Sequence, residues 1–284
     1  MKSITYINGN GKSITFGESP PFYLEYIDAS SISTSRSTYK AIGQDGQTSG
    51  DITYNPRTIV CKLAFDGILN ARYDTAEMQR NWQTITSTLL PNSVGELVYA
   101  NELGSYKITC CPFDLPTYEN VVATLGKFTI DFVADYPFWQ SAENICFRLG
   151  EVVGGFSFPF SFNPTVQFGT WVKTCTIEND TGLELPFVVE IDSVSDYAIL
   201  SNQKGEFIKV DRAITDGQKL SINTLDMSVK LVNADGSFTY ANNKVSLDST
   251  YFKLHNGTNI LTLDNGKTTP ATASICYNKL YLGV

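Results

Sequence analysis

From Phe128 to Ala134 the chain alternates: Phe128, Ile130, Phe132 and Ala134 fall on one side, Thr129, Asp131 and Val133 on the other. A period of two describes a strand with one face buried. The same texture recurs along most of the chain, broken by Gly, Asn, Asp and Pro. Such a sequence buries its apolar groups by stacking or closing sheets. One segment departs from it. Asp74 and Glu77 make an acidic start close to a capping box. Ala76, Met78, Trp82, Ile85 and Leu89 then give a loosely helical apolar stripe, and Pro91 ends it. The expectation is a mainly β protein with one helix packed on a sheet.

The N-terminal stretch INGNGKSITFG (Ile7 to Gly17) contains Gly-Lys-Ser, the end of a phosphate-binding loop. Its spacing is wrong. Such a loop needs a glycine five positions before Gly11, and Tyr6 stands there. The loop must also feed a helix N-terminus, whereas SITYI before it and SITFG after it read as strands. Asn and Gly tolerate the positive φ of tight hairpins, so Asn8 to Gly11 reads as a hairpin turn and Lys12 as a solvated turn charge.

With 284 residues the chain can bury a sizeable core as one large domain or two ordinary ones. The formal net charge of −8 argues against a sequence-independent grip on nucleic acid, which needs clustered Lys and Arg. The six cysteines are irregularly spaced, with no Cys-x-x-Cys pair, and most sit in apolar runs. They read as buried free thiols. No apolar leader segment opens MKSITYINGNGK, and no run is long enough to span a membrane. Neither a secretory signal nor a membrane partner is expected.

Residues Ser30 to Gly50 are poor in large apolar groups and rich in Ser, Thr, Gln and Gly, which reads as a long loop or an extended arm. GGFSFPFSFNPTVQFGT, Gly154 to Thr170, places Phe at alternate positions between prolines. It reads as a junction covered by a neighbouring domain or subunit. Beyond Trp171 short strands follow one another with turn signals and no helix, as in a β-sandwich.

No constellation for catalysis emerges. The single histidine, His255, precedes a Gly turn and lies beside no GxSxG or cysteine motif. It reads as a turn residue with a local hydrogen bond. One histidine cannot build a histidine-cluster metal site, and the twelve-residue calcium-loop pattern is absent. Asp131 and Asp135 straddle one strand, and solvent-face charge is their plainest reading. Catalytic, cofactor and metal sites are all expected to be none.

Taken in order, the features of the first half resemble the distal tail protein family of long-tailed phages and prophages. They run from the strand–Asn-Gly–strand start at Tyr6 to Phe16, through Gly43, Asp45 and Gly46, to the strand led by Arg57 and the helix bearing Arg80 and Trp82. LLPNSVGELVY, with Leu89, Pro91, Gly95 and Leu97, comes next, then Tyr106, and last FTIDFVADYPFW with Phe128, Phe132, Asp135, Pro137, Phe138 and Trp139. In the second half TIENDTG, HNGTNILTL and a last strand near Tyr281 and Gly283 resemble the galectin-like C-terminal domain of that family.

The resemblance implies a ring-forming β-sandwich or barrel-like domain over 1–145, with an extended arm around 30–52. It implies a galectin-like β-sandwich of jelly-roll type over 146–284. It further implies a homo-hexameric ring at the tail tip of a virion assembled in the host cytoplasm. That ring would join the tail tube protein to a tail-tip hub protein and to a receptor-binding protein. Gly43, Asp45 and Gly46 would belong to the subunit-spanning arm. Phe138 and Trp139 would anchor the domain junction, against the plainer reading of core aromatics. The rival reading is a carbohydrate-binding module built on the C-terminal sandwich.

Overall fold

The computed structural model describes residues 2–69, 72–122, 124–150, 152–153, 170–171, 173–267 and 271–284. The Phe-rich stretch read as a junction, residues 154–169, lies outside them. The chain forms two compact units, residues 1–142 with Leu280–Val284, and Glu143–Lys279.

Unit 1 begins with β1 (Ser3–Ile7), β2 (Ser13–Phe16), β3 (Phe22–Ile27), β4 (Thr34–Tyr39), β5 (Thr48–Tyr54), β6 (Arg57–Asp66), β7 (Ile68–Leu69) and β8 (Arg72–Tyr73). Helix α1 (Thr75–Thr88) follows, then β9 (Gly95–Asn101), β10 (Gly104–Pro112), β11 (Tyr118–Val122), β12 (Leu125–Ala134) and β13 (Trp139–Ser141). The main sheet runs β2-β1-β9-β10-β12-β6-β3. Its two ends meet at a parallel bridge between Gly17 and Tyr23. There the Gly17 N–H donates to the Phe22 carbonyl, and the Leu24 N–H donates to that of Gly17. The sheet therefore returns on itself like a barrel, which leaves few open edges.

The opening turn behaves as its residues require. Asn8 is buried, and its side-chain oxygen accepts from the Asn10 and Lys12 N–H groups at 3.0 Å. Gly11 takes a φ of 80°. Lys12 is exposed at the turn and donates to the Ser87 hydroxyl.

Helix α1 packs across the barrel. Asp74 caps it by accepting from the Ala76 N–H at 2.8 Å, while Glu77 pairs with Arg80 at 2.6 Å. The cap is thus half of a capping box. Met78, Asn81, Ile85, Thr88 and Leu89 are buried at helical spacing. Ala76 lies off this face and is exposed. Asn81 faces inward instead, because its amide donates to the Asp66 carbonyl at 2.9 Å. Trp82 stacks on Phe65 with ring centroids 5.5 Å apart and meets Tyr118 at 4.5 Å. On the sheet beneath, Phe128, Ile130, Phe132 and Ala134 are all buried, as their alternation requires.

Unit 2 holds β14 (Ile145–Leu149), β15 (Val152–Val153), β16 (Thr170–Trp171), β17 (Thr174–Asn179), β18 (Phe187–Ile191), β19 (Ala198–Asn202) and β20 (Phe207–Val210). It continues with β21 (Lys219–Asn223), β22 (Ser228–Val232), β23 (Phe238–Tyr240), β24 (Gly257–Asp264) and β25 (Ala273–Tyr277). A six-stranded antiparallel sheet, β14-β25-β18-β21-β22-β23, and a four-stranded one, β17-β24-β19-β20, make a β-sandwich. Alternate residues such as Phe187, Val189, Leu200, Ile222, Leu261 and Ile275 form its core. The last strand, β26 (Leu280–Tyr281), pairs with β13 and belongs to unit 1.

The cysteines divide in a way the sequence reading did not foresee. Cys61, Cys110 and Cys175 are buried free thiols and Cys111 is partly buried. Burial pushes the Cys175 thiol up to about 11. Cys146 and Cys276, however, form a disulfide. They sit directly opposite each other on β14 and β25, on the solvent side of the sheet. The expectation of buried thiols fails for this pair because strand register joins residues 130 positions apart.

Ile85→Ala is expected to lower stability by roughly 2–5 kcal/mol through the cavity it leaves. Asp74→Ala is expected to lower it by about 1 kcal/mol through loss of the cap. Both are read by urea unfolding. A pH effect also follows. The Tyr23 hydroxyl donates to the buried Asp66 carboxylate at 2.6 Å. Burial, then that hydrogen bond and the carboxylate's charge, push the Tyr23 phenol up to about 12. A raised acid keeps its proton in the folded state after the unfolded chain has lost it. The stabilisation is therefore complete below about pH 10 and fades as pH rises toward 12. Tyr23→Phe should flatten that alkaline decline in thermal melts.

Candidate assembly surface

Strands β4 and β5 form a two-stranded sheet of their own, Thr34 opposite Tyr54 and Tyr39 opposite Thr48. The segment read as a loop or arm is thus a hairpin. Its Thr, Ser and Tyr residues suit a strand, but no face is buried, so no apolar alternation marked it. Gly43 and Gly46 take φ values of 79° and 77° at its tip, with exposed Asp45 between the strands' ends. Both strands are exposed almost throughout. Ile42 is fully exposed, Tyr39 is 64% exposed and Ile52 is 52% exposed. An isolated two-stranded hairpin is marginal in water, and exposed apolar groups on one call for a partner surface.

Within unit 1, Phe138 and Trp139 meet the root of this hairpin. Phe138 is half-buried and lies edge-on to Tyr54, the last residue of β5, with centroids 5.1 Å apart. It also meets Tyr136 at 5.2 Å. Burial pushes the Tyr136 phenol up to about 12. Trp139 is fully buried, and its indole N–H donates to the Ala29 carbonyl at 2.9 Å, just before the hairpin begins. One aromatic therefore holds each root of the hairpin. Among the described residues, nothing beyond the hairpin lies within 4 Å of a Cβ built on Gly43 or Gly46 at its tip.

The C-terminal residues complete this region, and the sequence division at 145/146 had placed them in the other half. Tyr281 pairs with Trp139 and Leu280 with Gln140. The Tyr281 ring lies edge-on to Tyr106 at 5.1 Å. Arg57 is buried, and its Nη2 donates to the Leu282 carbonyl. Among the described residues its Nε and Nη1 have no partner. Burial pulls its guanidinium below the usual range, opposed by the charge of Asp28. Sequence reasoning singled out Arg57 and Tyr281 but gave no sign that they would meet. A lone Leu-Tyr pair after Asn278 is too short to carry a pattern.

In unit 2, His255 lies between two carboxylates, Nδ1 at 3.0 Å from Glu184 and Nε2 at 2.8 Å from Glu206. The hydrogen bond from His255, with one from Asn202, holds the Glu206 carboxyl below its ordinary value. The ring joins neighbouring turns.

The family model described as "Phage tail protein RIFT-related domain" matches residues 9–134. The one described as "Siphovirus-type tail component, C-terminal domain" matches residues 165–281. The chain belongs to the distal tail protein family. Its role is that of a structural component of a phage tail. No curated relative matches it significantly. Among solved structures it is similar to the SPP1 Dit protein, described as a paradigm of the hub adsorption apparatus in phages infecting Gram-positive bacteria. That match has a TM-score of 0.68 at 9% identity and covers 99% of each chain. It is also similar to a chain of the phage p2 baseplate in its activated conformation with Sr, with a TM-score of 0.57 at 12% identity over 100% of both chains. At such identities the likeness is one of fold. The distal tail assignment rests on the two family models, one matching within unit 1 and the other over most of unit 2.

Removing Leu280–Val284 is expected to destabilise unit 1 by at least about 2 kcal/mol, since Arg57 loses the carbonyl that receives its charge. The disulfide-bearing unit 2 should keep its own protection in hydrogen exchange. Phe138→Ala should leave the barrel folded and speed proteolytic cutting between Ser30 and Asn55.

Proposed function

We propose that this chain is the ring-forming subunit of a distal tail hub, six copies closing around the axis of the tail. Unit 1 makes the ring, and the β4–β5 hairpin of each subunit lies on the next. The observation that carries this is the hairpin itself. It is ordered at its roots by Phe138 and Trp139, yet exposes Tyr39, Ile42 and Ile52 along its length. An arm on one side of a subunit and its receiving surface on another make a heterologous contact, which closes into a ring by rotation.

On this reading the ring joins the tail tube protein to a tail-tip hub protein. Unit 2 serves the outward contacts, a receptor-binding protein among them. Assembly takes place in the host cytoplasm and the ring ends in the virion tail tip. The acidic balance of the chain suits a conduit through which DNA passes without adhering. The role is structural and asks for no catalytic residue.

Light scattering on the purified protein, with negative-stain images of the same peak, tests this. A six-fold ring is expected. Replacing residues 34–54 by a short Gly-Ser turn should give a folded monomer with an unchanged barrel. A ring that survives loss of the hairpin would remove the arm from the mechanism. A wild-type chain that stays monomeric at high concentration, alone and with its tube and hub partners, would remove the ring.

A further inference from the structure

Four of the six cysteines are withdrawn from redox chemistry. Cys61, Cys110 and Cys175 are buried. Burial pushes the Cys175 thiol up to about 11 and raises those of Cys61 and Cys110 further. Each therefore stays protonated and inert. Cys111 is partly buried, and its thiol donates to the Pro91 carbonyl at 2.7 Å. Cys146 and Cys276 differ from all four. They are joined to each other on the solvent side of the six-stranded sheet, Cys146 exposed and Cys276 partly so. A dissolved thiol can reach their sulfurs there, and accessible disulfides are the ones that exchange.

The bond sits where the sandwich is least secured. Strand β14 ends its sheet and, among the described residues, pairs with β25 alone. That ladder is five residues long, Ile145–Leu149. Of its inward side chains only Leu149 is fully buried, while Ile145 and Phe147 are partly buried. Phe147 stacks on Tyr277 with ring centroids 6.3 Å apart, and the Asn278 amide donates to the Glu143 carbonyl at 3.1 Å. A short edge strand held by so few contacts opens locally at little cost. The disulfide changes this. It links Cys146 to the residue directly opposite, 130 positions on, and so closes a loop that holds nearly all of the sandwich. A cross-link over so long a loop strongly restricts the opened chain.

We propose that Cys146 and Cys276 form a redox latch, a dithiol in a reducing compartment and a disulfide outside it, which clamps β14 onto β25 when it closes. Cytosol keeps accessible thiols reduced, whereas disulfides persist in oxidising surroundings. The latch is thus open while the particle is built and closed once it is released. That order of events rests on the cytoplasmic assembly proposed above, and the latch itself rests on the placement of the two cysteines alone. The closing agent is a low-molecular-weight disulfide. One cysteine thiolate attacks it, expels one small thiolate and leaves a mixed disulfide on the protein. The second cysteine thiolate attacks that protein sulfur and expels the other small thiolate. The two cysteines lose two electrons and two protons, and the small disulfide becomes two small thiols.

The test equilibrates the purified full chain in buffers of reduced and oxidised glutathione, quenches it with acid and alkylates it with a mass tag. Tags on Cys146 and Cys276 are expected in the reducing buffers and should vanish in the oxidising ones. Hydrogen exchange read by mass spectrometry on the same samples should show the Ile145–Leu149 amides exchanging about tenfold faster with the bond open. The amides of Phe187–Ile191, in the interior of the same sheet, should not change. A Cys146→Ser, Cys276→Ser double variant should match the open state in every buffer. A bond that excess reduced glutathione leaves intact would overturn the proposal. So would equal exchange of β14 in the two states, or tags that shift on other cysteines instead. The same alkylation on acid-quenched host cells and on released particles reads the order of events. Tags are expected in the cells and not in the particles, and a bond already closed in the cells would overturn the step between compartments. Particle mass measured on the purified samples separates the latch from the ring. A monomer whose bond opens and closes would sink the ring alone, and a ring with an unresponsive bond would sink the latch alone.

Discussion

The buried indole of Trp139 ties together three stretches of chain that are far apart in sequence. Its N–H holds the Ala29 carbonyl ahead of the arm, and its backbone pairs with Tyr281 at the C-terminus. Its ring meets Tyr99 in the barrel core, with centroids 6.2 Å apart. A buried indole N–H without a partner is costly, so the chain leading into the hairpin is fixed wherever the tryptophan is fixed. Phe138, next in the chain and only half-buried, holds the other root through Tyr54. Trp139, the first residue of β13, enters the barrel interior, while Phe138 just before it faces the base of the hairpin.

The barrel itself was largely legible. The alternation from Phe128 to Ala134, the Asn-Gly turn at Asn8 to Gly11, and the stripe on α1 each report a local period, and each is set by which face is buried. The strands of unit 2 were legible for the same reason. Ala76 was misplaced because a buried asparagine, Asn81, took the inward row. A polar residue faces inward only when a partner waits there, and the Asp66 carbonyl cannot be seen from the helix sequence.

The assembly region was legible in part. Low apolar content marked residues 30–50 as something that leaves the core, and the resemblance to distal tail proteins gave it a role. That it pairs with itself was hidden, since a hairpin exposed on both faces has no alternation to read. The meeting of Arg57 with Leu282 and the Cys146–Cys276 bond were hidden for another reason. Both depend on long-range register, which a single sequence does not carry.

The pairing of β13 with β26 has a consequence for how such a protein can change. Unit 2 leaves unit 1 just after Gln140 and returns just before Leu280, and these two residues are neighbours on one ladder. In topological terms the whole sandwich is an insertion between two paired strands at the edge of the main sheet, β26 lying on β13 and β13 on β10. The free energy of closing an insertion grows only with the logarithm of its length. A module whose ends lie side by side can be enlarged, shortened or exchanged without altering the strands that carry it. The barrel can then stay constant while the inserted domain diversifies.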